Sequence, residues 1–340
     1  MLRNISEGIL KKRVFLVTMF LGIMLTFTSC NKTEKSNVDI TTSAHYTKYN
    51  ENQMLMIILS QIQDIQNTYT DKIWDRKLDS GNTTYRTVFI GEMKNFFKEL
   101  RVLNLIAEEK GVRLTTEEEA KAGQAAKEYF DIISKSQGSL QALSHVEIDQ
   151  MYKEYALALK TKEEVTKEEV DSVSEDEARI LKLQQIVVDS KEKAEKVETQ
   201  LQEPNIDFYT VARQNSESPD ITIVVGHKDL CTAADKAVCE LKDGEISQTI
   251  EDKGKFYIYK CIDGYDEEAT AKKKATIKKQ KREDALRVVY NEYLSRNELE
   301  VEPVTWKEVN KRLETEFNIN TAKNNENSVY NFFSLYAKEF

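Results

Sequence analysis

The sequence predicts an α+β protein, in which a mostly helical body built from N- and C-terminal segments carries an inserted small domain. Two observations predict this class. Segments with apolar residues at helical spacing lie on both sides of residues 176–264, and the chain of 340 residues holds only 3 prolines and 11 glycines. Between those segments, Gln184–Val188 and Phe256–Ile262 have the apolar, strand-like character of a small sheet.

Apolar periodicity predicts two long helices at the start of the body. The first covers about 50–65, and the second covers about 84–110 with a wide apolar face. Gly111 follows the second helix and is a candidate C-cap, because glycine adopts the left-handed conformation that ends many helices.

Capping-box spacing predicts where two further helices begin. Thr116 with Glu119 opens the third helix, which runs to about Ser136, and Ser144 with Glu147 opens the fourth. Each pair lets a hydroxyl and a carboxylate satisfy backbone N–H groups of the first turn.

The C-terminal part predicts one long helix over 266–299 and a short final helix after Pro303. A long helix with an apolar stripe needs a partner, and the N-terminal helices are the obvious one. Residues 317–340 are Asn-rich and then aromatic, and we interpret them as a polar, mostly mobile tail with a docking end.

The N-terminus has the layout of a secretory signal. Basic residues precede the apolar run Val14–Phe27, and Cys30 follows directly after Thr-Ser. Such a run rises only about 21 Å as a helix, less than the roughly 30 Å hydrocarbon core, which disfavours a transmembrane span. Thr-Ser-Cys resembles a bacterial lipobox, although Phe27 departs from the usual leucine. We expect a signal peptide over 1–29 and a lipidated tether over 30–46, with ordinary cleaved secretion as the alternative.

The formal net charge of −9 becomes more negative once the basic leader is excluded. An acidic surface disfavours nucleic acid and anionic lipid surfaces as partners. The lysine-rich stretch 272–282 lies in a predicted helix among many acids, and we interpret it as a solvated helix face.

The cysteines and histidines predict no metal site, and nothing in the sequence calls for a cofactor. The chain has 4 cysteines and 3 histidines, without C-x-x-C or zinc-ligand spacing. Cys231 and Cys239 fall on one predicted helix about 12 Å apart, which is beyond disulfide reach. A pair of Cys239 with Cys261 is left open, and three buried thiols are the favoured interpretation.

Two stretches carry a family resemblance. Asp207–Glu217 and Leu241–Ser247 resemble motifs of parvulin-type peptidyl-prolyl isomerases. Together with the leader and the helical body, they make residues 1–310 similar to PrsA-type foldase lipoproteins, which are related to the periplasmic chaperone SurA. The resemblance implies a parvulin-like domain over 176–264, in which short helices pack an antiparallel sheet.

The same resemblance implies a helical chaperone lobe built from 47–175 and 265–316, followed by the polar tail over 317–340. Its partners would be unfolded or newly exported polypeptides, together with the membrane through a lipid anchor at Cys30. A homodimer is left open. The implied location is extracytoplasmic, on the outer face of the bacterial cell membrane.

The catalytic pattern of parvulins falls on residues that lack its histidines. Gln185 replaces the first of the two facing histidines, and Tyr257 replaces the second. The second assignment is open to a shift of one residue, because Gly254 comes one place early. The family's cysteine or aspartate falls near Ser218, and its hydroxyl residue falls on Asp252.

The slot for the prolyl ring is also reduced. The family's methionine falls on Leu230 and its phenylalanine on Ala234. Loss of an aromatic ring costs about 3–5 kcal/mol in protein cores, so weak or absent isomerase activity is expected. His227 lies in a loop position before the predicted helix, and we interpret it as a surface histidine.

These observations favour a membrane-anchored extracytoplasmic foldase or chaperone for exported unfolded proteins, with a degenerate isomerase site. An active isomerase that acts on Xaa-Pro bonds of secreted proteins is one alternative. A docking partner of an envelope complex is another.

Overall fold

The computed structural model describes residues 45–79, 81–135, 140, 142–227, 236–318 and 332–340. The chain divides into two compact units. The helical unit comprises the described residues up to Thr166 and from Glu283 onward, and the small unit comprises Lys167–Arg282. The predicted α+β class, with a small sheet domain inserted into a helical body, is confirmed.

In chain order the first elements are β1 (His45–Tyr46), α1 (Glu51–Tyr69), α2 (Tyr85–Lys110), α3 (Thr116–Ile133) and α4 (His145–Asp171). They are followed by α5 (Glu175–Ala178), β2 (Ile180–Val188), α6 (Lys191–Leu201), α7 (Phe208–Asn215), β3 (Thr222–Gly226), α8 (Lys236–Cys239), β4 (Ile250–Asp252) and β5 (Lys255–Asp263). The last are α9 (Glu267–Arg296), β6 (Leu299–Glu300), α10 (Pro303–Asn318) and α11 (Phe332–Glu339). The limits of the two units fall inside α4 and α9, whereas the sequence-based domain limits were 176 and 264.

Helix ends follow local capping chemistry. Gly111 ends α2 with φ of 72°, in the left-handed region that favours glycine, as the sequence predicted. The capping box of α3 is formed by Thr115 and Glu118, one residue earlier than the predicted pair of Thr116 and Glu119. That prediction was wrong because two threonines stand together before a run of three glutamates, so both spacings satisfy the motif.

The start of α4 agrees with its prediction. The backbone N–H of Glu147 donates to Ser144 Oγ at 3.3 Å, and the N–H of Ser144 donates to the Glu147 carboxylate at 2.8 Å. This reciprocal pair fixes the entry of the chain into a long helix.

The helical unit joins the two ends of the described chain around one apolar core. Strand β1 pairs in parallel with β6, with His45 opposite Leu299. Arg312 on α10 forms an ion pair with Glu51 on α1, with 2.7 Å between Nη1 and Oε1. The core includes aromatic side chains from all parts of the unit, among them Tyr49, Trp74, Phe97, Tyr129, Tyr152, Tyr155 and Trp306.

Helix α11 belongs to this core. Phe332 is fully buried and Phe333 is 4% exposed, and both pack among aromatic residues of α2, α3 and α4. The interpretation of 317–340 as a polar tail included a docking end but not a buried helix. Residues 319–331 of that tail lie outside the described residues.

The small unit is built on a four-stranded antiparallel sheet with the strand order β3-β2-β5-β4. Because side chains alternate along a strand, the sheet has two distinct faces. On one face Ile186, Val188 and Ile258 pack against α6 and α7 around Phe208. On the other face Leu181, Leu183, Val238, Tyr259 and Cys261 form a second cluster.

The favoured interpretation, that all three cysteines of the folded part are buried free thiols, is wrong for Cys239. Cys239 is disulfide-bonded, while Cys261 is free and buried, so the bond partner of Cys239 lies outside the described residues. The expected helix from Cys231 to Cys239 lies outside the described residues except for Lys236–Cys239, which form α8.

Candidate functional site

The sheet register brings Gln185 and Tyr257 to the same face. Gln185 on β2 lies opposite Tyr259 on β5, and Val187 lies opposite Tyr257. Gln185 and Tyr257 are therefore diagonal neighbours, and such neighbours in an antiparallel pair are about 7–8 Å apart. The face that carries Gln185, Val187, Tyr257 and Tyr259 is called the Gln185 face below.

The same register bears on the one-residue shift left open for the second histidine position. Phe256 lies opposite Val188 and packs with the cluster under α6 and α7, on the other face from Gln185. Tyr257 is thus the residue of this pair that shares a face with Gln185.

The side chain of Gln185 is occupied by the loop that precedes β3. Its Nε2 donates to the backbone carbonyl of Asp220 at 2.8 Å and to Ser218 Oγ at 3.4 Å. Ser218 Oγ in turn accepts the N–H of Asp220 at 3.3 Å. The structure therefore brings Gln185 and Ser218 together, and the amide tethers the loop to the sheet.

Tyr257 contributes an aromatic surface. Its ring is nearly parallel to that of Tyr259, with centroids 6.1 Å apart and planes 6° apart. Tyr257 is partly buried beside Ile250 and the cluster that contains Leu183. An apolar platform of this kind can hold a peptide side chain by burial.

Asp252 lies at the tip of the hairpin between β4 and β5. It is exposed and lies opposite Lys255, while Lys253 and Gly254 at the turn have positive φ of 47° and 76°. By strand alternation Asp252 is on the Gln185 face, because the pair of Asp252 with Lys255 is the next pair on that face after the pair of Ile250 with Tyr257. An aspartate side chain at this exposed tip can interact with charged groups of a bound peptide, but it is not the hydroxyl side chain of the family pattern.

His227 lies at the opposite end of the sheet from Gln185. It follows β3 directly, where Gly226 pairs with Ile180, five residues before Gln185 on β2. Five residues of strand span about 17 Å. His227 therefore cannot replace either histidine of the family pattern from this position.

Three of the predicted residues lie outside the described residues: Leu230 and Ala234 of the ring slot, and the lipidation candidate Cys30. The signal peptide over 1–29 and most of the tether lie outside them as well. In the part of the chain that the structure describes, no group of three or more His, Cys, Asp or Glu side chains could hold a metal ion. None of the described helices combines the length and hydropathy that crossing a bilayer needs.

A cleft on the other face of the sheet was not predicted from the sequence. A cleft of about 690 Å³ lies between α6 and the segment before β4, and its lining includes Leu201, Ile246, Phe256 and Ile258. Glu198 on its wall accepts hydrogen bonds from the N–H and the hydroxyl of Thr249. Predicting this pair requires the packing of α6 beside β4, which no local spacing reveals.

Comparison with known proteins identifies the small domain. Residues 183–263 match the family described as a PPIC-type PPIase domain, or rotamase. No curated protein matches the chain. The parvulin-type resemblance inferred from Asp207–Glu217 and Leu241–Ser247 is confirmed for the domain that contains them.

Solved structures similar to this chain include three proteins named PrsA. The peptidylprolyl isomerase PrsA of Bacillus cereus is 18% identical, with 70% of this chain and 97% of that chain covered and a TM-score of 0.30. The foldase protein PrsA of Streptococcus pneumoniae is 15% identical, with 70% of this chain and 98% of that chain covered and a TM-score of 0.28. PrsA of Bacillus subtilis is 15% identical, with 78% of this chain and 99% of that chain covered and a TM-score of 0.24. The family assignment rests on residues 183–263 and applies to that domain.

Proposed function

Residues 183–263 form a PPIC-type peptidyl-prolyl isomerase domain, and on this premise we propose that the chain is a parvulin-family foldase whose own isomerase site is degenerate. Its substrates in this proposal are unfolded polypeptides that have been exported from the cell. Binding, and not catalysis of imide rotation, is its main contribution to their folding.

The observation that carries this proposal is the chemistry of the Gln185 face. Both positions that correspond to the family's histidines hold uncharged side chains, and Gln185 already donates to Ser218 and to the carbonyl of Asp220. Tyr257 lies beside Tyr259 as a flat apolar surface. These contacts support a face that offers an aromatic surface to a peptide and lacks the histidine pair of the family pattern.

Imide rotation explains why this substitution matters. The barrier is near 20 kcal/mol, and no bond is broken, so a catalyst must bind the twisted imide more tightly than the planar one. A slot with Ala234 in place of phenylalanine grips the prolyl ring weakly in both states. Weak or absent acceleration follows from this difference.

The proposal places the protein outside the cytoplasm. The basic leader, the apolar run Val14–Phe27 and Cys30 support cleavage at 29–30 and lipidation of the cysteine. Residues 30–46 then connect the lipid to the folded chain. Metabolic labelling with a fatty-acid analogue tests this part, since a Cys30→Ser variant should lose the label.

The catalytic part is tested by restoring the family's residues in the chain that lacks only residues 1–30. We expect that chain to leave the cis-to-trans rate of a short Xaa-Pro peptide within about twofold of the uncatalysed rate, measured by NMR exchange. The triple variant Gln185→His, Tyr257→His and Ala234→Phe should accelerate it. Gln248→His, on the rim of the cleft on the other face, is the matched control.

The binding part is tested separately by suppression of aggregation of a chemically unfolded client. We expect the unmodified chain and the triple variant to suppress aggregation equally. Absence of suppression by either chain would favour a docking partner of an envelope complex over a foldase.

An active isomerase is the second candidate, and the aromatic pair of Tyr257 and Tyr259 favours it. These rings could bind a proline side chain without the missing phenylalanine. Acceleration by the unmodified chain that disappears in Tyr257→Ala would establish this candidate and reject the degenerate site.

A further inference from the structure

The helical unit contains an aromatic groove formed by Phe96 of α2, Tyr129 of α3, and Tyr152 and Tyr155 of α4. The chain's own C-terminal helix, α11, lies in this groove. We propose that the aromatic groove is a binding site for amphipathic, aromatic-rich helical segments of unfolded polypeptides, and that residues 332–340 occupy it as an intramolecular substitute.

The first residue of α11 fills the deepest part of the groove. The ring of Phe332 makes an edge contact with that of Tyr129, with centroids 6.5 Å apart. Its carbonyl accepts a hydrogen bond from Tyr152 Oη at 3.0 Å, and its N–H donates to Ser60 Oγ on α1 at 3.2 Å. The groove thus recognises an aromatic residue at the start of a helix through both its ring and its backbone.

The next aromatic residues extend the contact outward. Phe333 meets Phe96 at 6.1 Å and Tyr155 at 5.4 Å between ring centroids, in both cases edge to face. Tyr336, one turn later, meets Tyr155 at 4.8 Å. Residues at i, i+1 and i+4 therefore present one aromatic stripe, which is the spacing of a helix that docks in a groove.

The outer end of α11 is held by charge. Lys338 Nζ donates to both carboxylate oxygens of Glu128 on α3 at 2.8 Å. Phe340 is 44% exposed, and Lys121 Nζ lies 5.9 Å from the centroid of its ring. A preferred occupant therefore carries an adjacent aromatic pair, a third aromatic residue one turn later, and a basic residue near its C-terminal end.

The walls of the groove also contact each other, independently of α11. Tyr129 and Tyr152 are 6.2 Å apart between ring centroids, and Phe96 and Tyr155 are 6.4 Å apart. These contacts link α2, α3 and α4 directly. The groove can therefore keep its form while one occupant replaces another.

Residues 332–340 are suited to exchange. A helix of 8 residues is too short to be stable alone in water, since isolated helices need about 12–15 residues. Its helical form depends on docking, and a client segment of the same pattern would gain the same contacts.

Attachment to the same chain gives residues 332–340 an advantage over a separate peptide, because a tether raises the local concentration of the attached segment to roughly the millimolar range. Weak client segments are thereby excluded, and only segments that match the aromatic stripe compete. The proposal depends on the proposed function for the identity of the client, but the existence of the groove does not depend on it.

Hydrogen exchange of the chain lacking only residues 1–30 tests the proposal. The probe is a synthetic peptide with the sequence of residues 331–340. At saturating peptide we expect amides of 332–339 in the protein to exchange at least about tenfold faster while α3 stays protected. A control peptide in which the two adjacent phenylalanines are serines should have no effect.

A charge variant sharpens the test in the same chain. Lys338→Glu removes the pair with Glu128 and should tighten binding of the peptide about three- to tenfold, measured by fluorescence anisotropy. Adding Glu128→Lys restores the internal pair in reversed form, and the peptide should then bind at least as weakly as to the unmodified chain.

Three results would overturn the proposal. The first is that the Lys338→Glu chain fails to bind the peptide at millimolar concentration. The second is that the peptide binds while the amides of 332–339 stay fully protected, and the third is that the peptide and its serine control have equal effects. Because neither isomerase activity nor suppression of aggregation is measured, these results would reject the groove and leave the proposed function standing.

Discussion

The ring of Phe332 stacks on the ring of Tyr152, with centroids 4.1 Å apart and planes 23° apart. The two residues lie far apart in the sequence, and Tyr152 also donates a hydrogen bond to the carbonyl of Phe332. This contact makes the end of the chain part of the helical unit's core, and it leads directly to a prediction.

Phe332→Ala should lower the free energy of unfolding of the helical unit by about 3 kcal/mol, as expected for an aromatic side chain removed from a core. Urea unfolding followed by far-UV circular dichroism measures the loss. Phe340→Ala, at the residue directly after the other end of α11, is the matched control, and because Phe340 is 44% exposed its effect should stay within about 0.5 kcal/mol. Equal losses in both variants would contradict the stacked contact.

Glu99 predicts a pH dependence of stability. It is 8% exposed on α2, and burial raises the pKa of its carboxyl to about 8. Lys162 lowers this pKa by a smaller amount, and Glu92 raises it. The unfolded chain releases this proton near pH 4.5, so the folded chain holds more protons between about pH 4.5 and 8. Stability therefore falls as pH rises through that window.

Glu99→Gln keeps a neutral side chain of similar shape and should remove this fall. We expect the variant to be more stable than the unmodified chain by about 3 kcal/mol at pH 7, with a much smaller difference at pH 4. Chemical unfolding at both pH values measures it. Glu108→Gln, an exposed substitution on the same helix, is the control, and an identical pH profile for all three chains would refute the prediction.

Two glycines of α2 should respond in opposite directions to alanine. Gly111 has φ of 72°, where a side chain is strained, so Gly111→Ala should destabilise by about 1 kcal/mol. At Gly91, inside the helix, an added Cβ would meet no atom within 4 Å. Gly91→Ala should therefore stabilise by about 0.5–1 kcal/mol, and thermal unfolding of the two variants checks the difference in sign.

Cys261 should resist alkylation in the folded chain. Burial, reinforced by the nearby carboxylate of Asp243, raises the pKa of its thiol to about 11. Only about one thiol in a thousand is then ionised at pH 8, and the thiolate is the reactive form. Mass spectrometry after iodoacetamide treatment should find Cys261 unmodified in the native protein and modified in urea, and rapid native labelling would be inconsistent with this environment.

Much of the helical unit followed from local patterns. The periodicity of α2 and its end at Gly111 depend on residues next to each other in the sequence, and the structure agrees. The start of α3 was displaced by one residue because Thr115 and Thr116 offer the same capping chemistry. Local signals specify such an element well, but they do not choose between equivalent neighbouring positions.

Non-local features were harder to predict. The burial of Phe332 depends on Tyr129 and Tyr152, which come from a distant part of the chain, so the aromatic run at the C-terminus indicated docking but not its partner. In the small unit, the shared face of Gln185 and Tyr257 follows from the strand register. Family resemblance suggested their proximity, whereas the hydrogen bonds of Gln185 to the loop at 218–220 could not be read from spacing.

The short parallel ladder between His45–Tyr46 and Leu299–Glu300 sets the order in which the protein can assemble. Its two strands are about 250 residues apart, so the first strand has no partner until Leu299 and Glu300 have been synthesised. The sheet of the small unit lies within residues 180–263 and can form earlier, since contacts over shorter separations close with less loss of chain entropy. The larger unit is thus the late-maturing half, and a ribosome-stalled chain that ends before residue 299 would carry a finished sheet within an unfinished helical body.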